Sequence, residues 1–172
     1  MRHSPASLER LQAVLDSSAT DAGEHLRATF GIPDHTLSAV QLARYLDKPQ
    51  SVAVATVTAR GEPRVAPVHA VFYEAAFHVP TVAAAARLKH VERRPSVSLT
   101  HWVLNYVAII VHGTASVLRP GHPDFAALDD LYPAPWWRQV RQQADGVYLR
   151  VTGERVFAWA NDLAQFPADD RW

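Results

Sequence analysis

Five basic side chains lie close together in the middle of the sequence, within a stretch that is predicted to be helical. The stretch runs from Val82 to Arg93 and is closed by Pro95. The basic residues in its second half and directly after it are Arg87, Lys89, His90, Arg93 and Arg94. A guanidinium fork and an ammonium can together hold a phosphate, which has up to two charges and three acceptor oxygens. A solvated helix face near a C-terminus, where cations are favoured, explains the same cluster without a ligand. The residues alone leave both interpretations open.

The histidines are the other residues that could do chemistry, and they are scattered along the chain. They are His3, His25, His35, His69, His78, His90, His101, His112 and His122. No His-x-His or His-Glu-x-x-His pattern is present, so no metal site is predicted. A Gly-x-Ser-x-Gly elbow, a phosphate loop and a dinucleotide glycine fingerprint are also absent. His69 could be a proton donor, a haem ligand or a packing residue of a strand, and no catalytic acid or base is predicted.

The composition limits the class of partner. Lysine plus arginine equals aspartate plus glutamate at 17 each, so no overall charge favours nucleic acid or an anionic membrane surface. The absence of cysteine excludes a disulfide framework, a thiolate nucleophile and a zinc–cysteine site. No apolar run approaches the roughly 20 residues of a membrane helix, and the N-terminus lacks the apolar core of a signal peptide. We therefore expect a soluble, cytoplasmic protein that binds neither nucleic acid nor membrane.

The chain of 172 residues is long enough for one full core, and we expect a single domain over residues 1–172. Residues 1–48 are predicted to be a helical N-terminal segment, residues 49–160 the strands of the core, and residues 161–172 a polar tail over the surface or a partner. Leucines at helical spacing predict several helices in the first segment, with a break at Ser17-Ser18 and a cap at Thr36.

Short apolar runs separated by turn residues follow, a pattern typical of β-strands. The predicted strands are 51–58, 64–72, 76–79, 96–101, 106–118 and 147–159. Connections as short as those between the first three strands join antiparallel neighbours. Gly113 predicts a bulge or a close approach by a backbone or ligand inside the fifth strand. We expect a mainly β protein with helices, of the α+β class, in which two short helices precede the last strand and carry an unusual pair, Trp136-Trp137.

Several short motifs follow one another between about residues 37 and 159. They are Ala53-Val54-Ala55-Thr56-Val57, Gly61-x-Pro63, Pro67, Arg87-x-Lys89-His90-Val91-x-x-x-Pro95-x-Val97, Val111-His112-Gly113-Thr114-Ala115 and Val156-x-x-Trp159. In this order they resemble the pyridoxamine 5'-phosphate oxidase-like superfamily of flavin-binding split β-barrels, in particular its flavin/deazaflavin oxidoreductase branch.

The resemblance implies a six-stranded antiparallel split β-barrel with N-terminal helices. It also implies a homodimer that holds a flavin-type cofactor, FMN, in a groove between its subunits. The cofactor phosphate would lie at the loop after the third strand and on the helix that follows, on Thr81, Arg87 and Lys89.

The resemblance further implies where the flavin ring would lie. Its edge would run along the second strand, at Ala66, Pro67, Val68 and His69. His101 and Trp102, at the end of the fourth strand, would either meet the cofactor across the dimer or be ordinary edge packing.

The sequence departs from the family at two places, and these departures limit which reactions are expected. Trp159 is followed by Ala160-Asn161-Asp162 and not by the Arg-Leu-His signature that holds the vitamin substrate, so vitamin B6 oxidation is not expected. Ala108 stands where those oxidases carry a polar glutamine near the ring.

The resemblance implies an FMN-dependent oxidoreductase that moves a hydride between the flavin and a small organic substrate or a nicotinamide donor. A reductase that uses the deazaflavin coenzyme in the same groove is the closest alternative. A flavin- or haem-binding module without turnover is another, with His69 or His101 as the axial ligand of a haem. An interaction scaffold with an empty groove is the third.

Overall fold

Six strands and six helices make up most of the chain that the computed structural model describes, residues 2–143 and 145–168. The strands are β1 Gln50–Val57, β2 Pro63–Tyr73, β3 Ala76–Val82, β4 Ser96–Val103, β5 Val107–Leu118 and β6 Gly146–Ala160. The helices are α1 Pro5–Thr20, α2 Glu24–Phe30, α3 Ala39–Tyr45, α4 Ala86–Arg93, α5 Phe125–Leu131 and α6 Pro135–Gln142.

The strands close into one antiparallel barrel in the order β1-β2-β3-β6-β5-β4. Alternate side chains of each strand point into it, as Val52 and Val54 of β1 and Ile109 and Val111 of β5 do. The predicted six-stranded antiparallel barrel of the α+β class is confirmed. None of the helices in the described part of the chain is long and apolar enough to cross a membrane.

The barrel is split on one side. Residues 63–70 of β2 pair with β1, but only Val71–Tyr73 of the same strand pair with β3. Among the described residues, the first half of β2 therefore has a strand neighbour on one side only. The second half of β3, from Val79 onward, likewise pairs with β6, and no strand of the described chain lies on its other side.

Gly113 marks a bulge, as the sequence predicts. The register between β5 and β6 shifts between His112 and Gly113, and Gly113 then faces Gly153. A Cβ atom at Gly113 would lie 2.0 Å from the carbonyl oxygen of Thr152, so only glycine permits this approach of two backbones. Beyond the bulge both strands continue without interruption.

The predicted break at Ser17-Ser18 is wrong, because α1 continues to Thr20. Serine is a poor helix residue when its hydroxyl competes with the backbone. Here the Ser18 hydroxyl donates to the Val14 carbonyl at 2.7 Å and accepts from the Val156 N–H at 2.9 Å. The side chain thereby ties the buried face of α1 to β6.

Two further boundaries differ from the prediction. Helix α3 is capped by Ser38 and not by Thr36, because Ser38 and Gln41 form a reciprocal capping box. The helix predicted from Val82 begins at Ala86, since residues 81 and 82 still pair with β6. Pairing in the barrel overrides the helix propensity of the alanines.

The connection between β5 and β6 folds into α5 and α6, which pack on the outside of the barrel. Their core includes Phe125, Leu128 and Trp137, and it lies against outward-facing residues of the strands. Asp129 accepts hydrogen bonds from Trp137 Nε1 at 2.9 Å, from Tyr148 Oη at 3.1 Å and from Arg141 Nε at 3.1 Å. These bonds fix α6, so that Trp137 is buried while its neighbour Trp136 stays partly exposed.

The predicted polar tail is described only as far as residue 168. Leu163–Gln165 form a 3-10 turn, and Phe166 is buried in the barrel core. Residues 169–172 lie outside the described residues. The division of the chain into segments stays a prediction.

Candidate functional site

A groove lies where the barrel is split, between the first half of β2 and the end of β3. Residues from both strands, from the start of β1 and from two helices line it, namely Ser51, Pro67, Val68, His69, Pro80, Arg87 and Trp136. Its volume is about 340 Å³, at the low end of the roughly 300–1,000 Å³ of small-molecule sites. The structure thus brings together four of the residues that the sequence analysis places at a cofactor.

Two prolines explain why the groove stays open. Pro67 of β2 and Pro80 of β3 lie on either side of it, and neither has a backbone N–H to donate. A strand with such a gap in its donors is tolerated at an edge and disfavoured inside a sheet. The remaining backbone groups along this edge of β2 are available to a ligand.

Helix α4 positions Arg87. Leu88 and Val91 are buried against the barrel, and the hydroxyl of Thr56 in β1 lies 2.9 Å from His90 Nδ1. These contacts fix the rotation of the helix about its axis. They turn Arg87, one residue before Leu88, toward the groove.

Arg87 and Thr81 are in direct contact. Arg87 Nη1 donates to Thr81 Oγ1 at 3.1 Å, and Thr81 is buried. Within residues 2–143 and 145–168, no carboxylate forms a salt bridge with Arg87. The groove therefore contains one positive charge that no carboxylate of the described chain neutralises.

Lys89 and Ala66 do not line the groove. Lys89 is exposed on α4, and Ala66 is half-buried next to Pro67. Their assignment to a cofactor stays a prediction.

His101 and Trp102 point to opposite faces of β4. His101 is buried, with Nε2 2.8 Å from Tyr45 Oη and Nδ1 2.9 Å from the Ser51 carbonyl. Burial raises the pKa of Tyr45 to about 12, with a smaller contribution from Tyr106, so this tyrosine stays neutral. Trp102 is 60% exposed beside the β4–β5 turn. Neither residue lines the groove, and a contact across a dimer stays a prediction.

Two residues that the sequence analysis does not connect with the site, Tyr132 and Trp136, lie beside His69. Tyr132 Oη is 2.6 Å from His69 Nδ1 and accepts from Trp136 Nε1 at 3.2 Å. Burial raises the pKa of Tyr132, and the bond from Trp136 opposes this shift. The unusual tryptophan pair was the one signal in the sequence that pointed to this helix.

Other parts of the described chain are weaker candidates for a metal or cofactor site. Over the described residues, no group of three or more histidines and carboxylates could hold a metal ion. A wider, open groove of about 930 Å³ lies near Tyr45 and Tyr106, and none of the predicted cofactor residues lines it.

Comparison with known families decides the assignment of the fold. The family model described as pyridoxamine 5'-phosphate oxidase matches residues 40–160, from α3 to the end of β6. The chain belongs to the pyridoxamine 5'-phosphate oxidase family. A comparison with curated proteins finds no match.

Several solved structures have a similar fold, and their names mention different ligands. An F420 reductase is 19% identical with a TM-score of 0.53, over 64% of this chain and 91% of its own. The haem storage protein of Vibrio cholerae is 18% identical with a TM-score of 0.56, over 70% and 92%. An FAD-binding protein of Mesorhizobium loti is 18% identical with a TM-score of 0.57, over 72% and 93%. At these identities the likeness shows the fold alone, and the fold does not choose the ligand.

Proposed function

We propose that the split between β2 and β3 holds FMN, and that the protein is a homodimeric oxidoreductase. It would move a hydride between the flavin and a small organic substrate or a nicotinamide donor. The observation that carries this proposal is the position of Arg87. A guanidinium without a carboxylate partner in the described chain lines a groove whose other side is the unpaired edge of β2.

Arg87 and Thr81 are suited to the phosphate of FMN. The bond from Arg87 Nη1 to Thr81 uses one of the five N–H donors of the guanidinium. The other donors can reach phosphate oxygens, while Thr81, which is buried and does not line the groove, holds the guanidinium from behind. Charge-assisted bonds of this kind contribute roughly 1.5–3 kcal/mol each.

The edge of β2 is suited to a flat ring with polar edges. Pro67 and Val68 present apolar surface to the groove, while backbone groups without a strand partner can bond to ring oxygens and nitrogens. Hydride transfer is the chemistry that a flavin supplies when bound, and the protein orients it. Side chains of the groove would hold the ring and exclude water from one of its faces.

The size of the groove supports a dimeric site. A volume of about 340 Å³ is small for a phosphate, a ribityl chain and three fused rings, since drug-sized ligands bury about 70–90% of their surface. A second subunit would supply the remaining contacts. Trp102 and the neighbouring Val103 and Leu104 are exposed apolar residues that could reach a ligand held by the other subunit.

A reductase that uses the deazaflavin coenzyme is the second candidate. A protein named F420 reductase has the same fold, and a deazaflavin has a similar ring and a phosphate for Arg87. Haem is less well supported, because both ring nitrogens of His101 are bonded to protein atoms. His69 keeps only Nε2 for an axial bond, since Nδ1 is bonded to Tyr132.

The absorption spectrum of the purified protein tests these candidates. We expect flavin bands, either as isolated or after FMN is added and free ligand is removed by gel filtration. Bleaching of those bands by a nicotinamide donor without oxygen would support turnover. A Soret band after addition of haemin, or retention of added deazaflavin coenzyme but not of FMN, would overturn the FMN proposal.

A further inference from the structure

His69 is the one ionisable residue of the second strand that lines the groove, and its environment is asymmetric. Its Nδ1 lies 2.6 Å from Tyr132 Oη. Its Nε2 has no partner among the described residues, and the ring is exposed to the groove. Nδ1 therefore bonds to a buried hydroxyl, whereas Nε2 is available to a ligand in the groove.

Trp136 determines which partner donates in the bond between Tyr132 and His69. The indole N–H of Trp136 can only donate, and it points to Tyr132 Oη at 3.2 Å. Tyr132 is buried, and burial raises its pKa, so its hydroxyl keeps a proton that needs an acceptor. Within the described residues, the acceptor in reach of that proton is His69 Nδ1.

The opposite arrangement would leave a buried donor unpaired. If His69 Nδ1 carried the proton, it would donate to Tyr132 Oη, which already accepts from Trp136. The Tyr132 hydroxyl proton would then have no acceptor, and an unsatisfied buried donor costs roughly 1–3 kcal/mol in general. The neutral ring therefore carries its proton on Nε2.

We infer that Tyr132 and Trp136 hold His69 in the Nε2–H tautomer, so that His69 presents an N–H donor to a carbonyl or anionic oxygen of the ligand in the groove. This inference rests on the proposed function for the identity of the ligand. It assigns Tyr132 and Trp136 as positioning residues and His69 as a specificity-determining contact. Flavin rings and small carbonyl substrates both offer an oxygen of this kind.

The tautomer can be measured without any ligand, by long-range ¹H–¹⁵N NMR at a pH where ordinary imidazoles are neutral. Comparison with His69→Gln identifies the signals of His69 among those of nine histidines. We expect a protonated Nε2 and a bare Nδ1 that accepts a hydrogen bond. A protonated Nδ1 in the wild-type protein would overturn the inference.

Substitutions test the two positioning residues. Tyr132→Phe removes the donor, so the Nδ1 and Nε2 shifts of His69 are expected to move toward the averaged values of a solvated ring. Trp136→Phe is expected to cause a smaller change in the same direction. Tyr148→Phe is the matched control, since it removes a buried hydroxyl of the same cluster that bonds to Asp129 and not to His69. Equal shifts in Tyr132→Phe and Tyr148→Phe would show a general structural effect and contradict the inference.

Two replacements of His69 show which of its ring nitrogens contributes to FMN binding. The amide of glutamine reaches the place of Nε2, and that of asparagine reaches the place of Nδ1. His69→Gln is expected to bind FMN within about threefold of wild type, and His69→Asn about three- to tenfold more weakly, which corresponds to one hydrogen bond. His69 itself is exposed, but His69→Gln leaves the Tyr132 hydroxyl without its acceptor, so the unfolding free energy of both variants is measured alongside their affinity for FMN. Equal binding by both variants and wild type would overturn the ligand contact.

The two proposals fail in different ways. If the wild-type protein binds no FMN, the proposed function is overturned and the contact with FMN falls with it. The nitrogen shifts of the ligand-free protein would still decide whether Tyr132 and Trp136 set the tautomer.

Discussion

Arg87 is the residue on which the phosphate assignment depends. Replacing Arg87 and Lys89 together by alanine is expected to weaken FMN binding more than tenfold, or at least ~1.4 kcal/mol. Arg87 should account for most of the loss, since it lines the groove and Lys89 is exposed outside it. Isothermal titration with FMN on the double variant and on each single variant measures the two contributions.

Arg93→Ala is the matched control for this experiment. It removes an exposed charge from the same helix and should leave the affinity for FMN almost unchanged, because screened surface charges contribute little at a distance. Unchanged affinity in Arg87→Ala, or an equal loss in Arg93→Ala, would contradict the assignment of the phosphate to Arg87.

His78 predicts a pH dependence of stability. Its ring is fully buried, and burial, aided by the charge of Arg150, lowers its pKa from 6.5 to about 3. The unfolded chain therefore binds a proton below about pH 6.5 that the folded protein binds only near pH 3. This contribution to stability is complete above pH 6.5 and is lost as the pH falls toward 3, by about 1 kcal/mol per pH unit.

Urea unfolding between pH 7 and pH 4 measures this effect. In His78→Leu the fall of the unfolding free energy with decreasing pH should be smaller by about 1 kcal/mol per pH unit. His25→Leu, at an exposed position of α2, should keep the slope of the wild type. An identical slope in wild type and His78→Leu would show that His78 does not carry the dependence.

At the scale of elements, Ser18 joins α1 to the barrel. Ser18→Ala should destabilise the protein by about 1–3 kcal/mol, because it leaves the buried N–H of Val156 without an acceptor. Ser17→Ala, one position earlier and exposed, should change stability by less than about 0.5 kcal/mol. Thermal or urea unfolding of the two variants gives the comparison, and equal effects would contradict the role of Ser18.

The same element shows what a sequence can and cannot predict. The strands follow from alternating apolar residues and turn residues, and Gly113 predicts the bulge, because these signals are local. Ser17-Ser18 reads locally as a break, and only the bond to Val156, far along the chain, makes Ser18 a good helix residue. The start of α4 was misplaced for the same reason, since pairing with β6 is a distant interaction.

In the candidate site, too, the residues in local motifs could be predicted and the long-range contacts could not. Pro67, Val68, His69 and Arg87 could be predicted because their motifs and spacing are typical of a known family. The contact of Tyr132 with His69 joins residues 63 positions apart, and no local pattern predicts it. Helices α5 and α6 bring the two together only when the connection folds back onto the barrel.

At the scale of the whole molecule, the hairpin between β4 and β5 predicts a dimer. Three consecutive large apolar residues, Trp102, Val103 and Leu104, are exposed at its tip, and contiguous exposed apolar surface commonly marks an interface. Light scattering should give a mass of twice the 19.0 kDa of the chain. Trp102→Asp with Leu104→Asp should shift the protein toward monomer while its circular dichroism stays unchanged.

A monomeric wild-type protein would contradict this prediction. The monomeric variant, if it forms, should also bind FMN more weakly, since part of the site would be missing. Retention of full affinity by a folded monomer would show that one subunit is sufficient for the site.

If Arg87 binds the phosphate of a flavin in the split of the barrel, the protein must distinguish FMN from riboflavin. The two ligands differ only in the phosphate, so their affinities for wild type and for Arg87→Ala form a double-mutant cycle. We predict that wild type prefers FMN by at least about tenfold and that Arg87→Ala loses most of this preference. Equal affinities of wild type for both ligands, or an undiminished preference in Arg87→Ala, would contradict the claim.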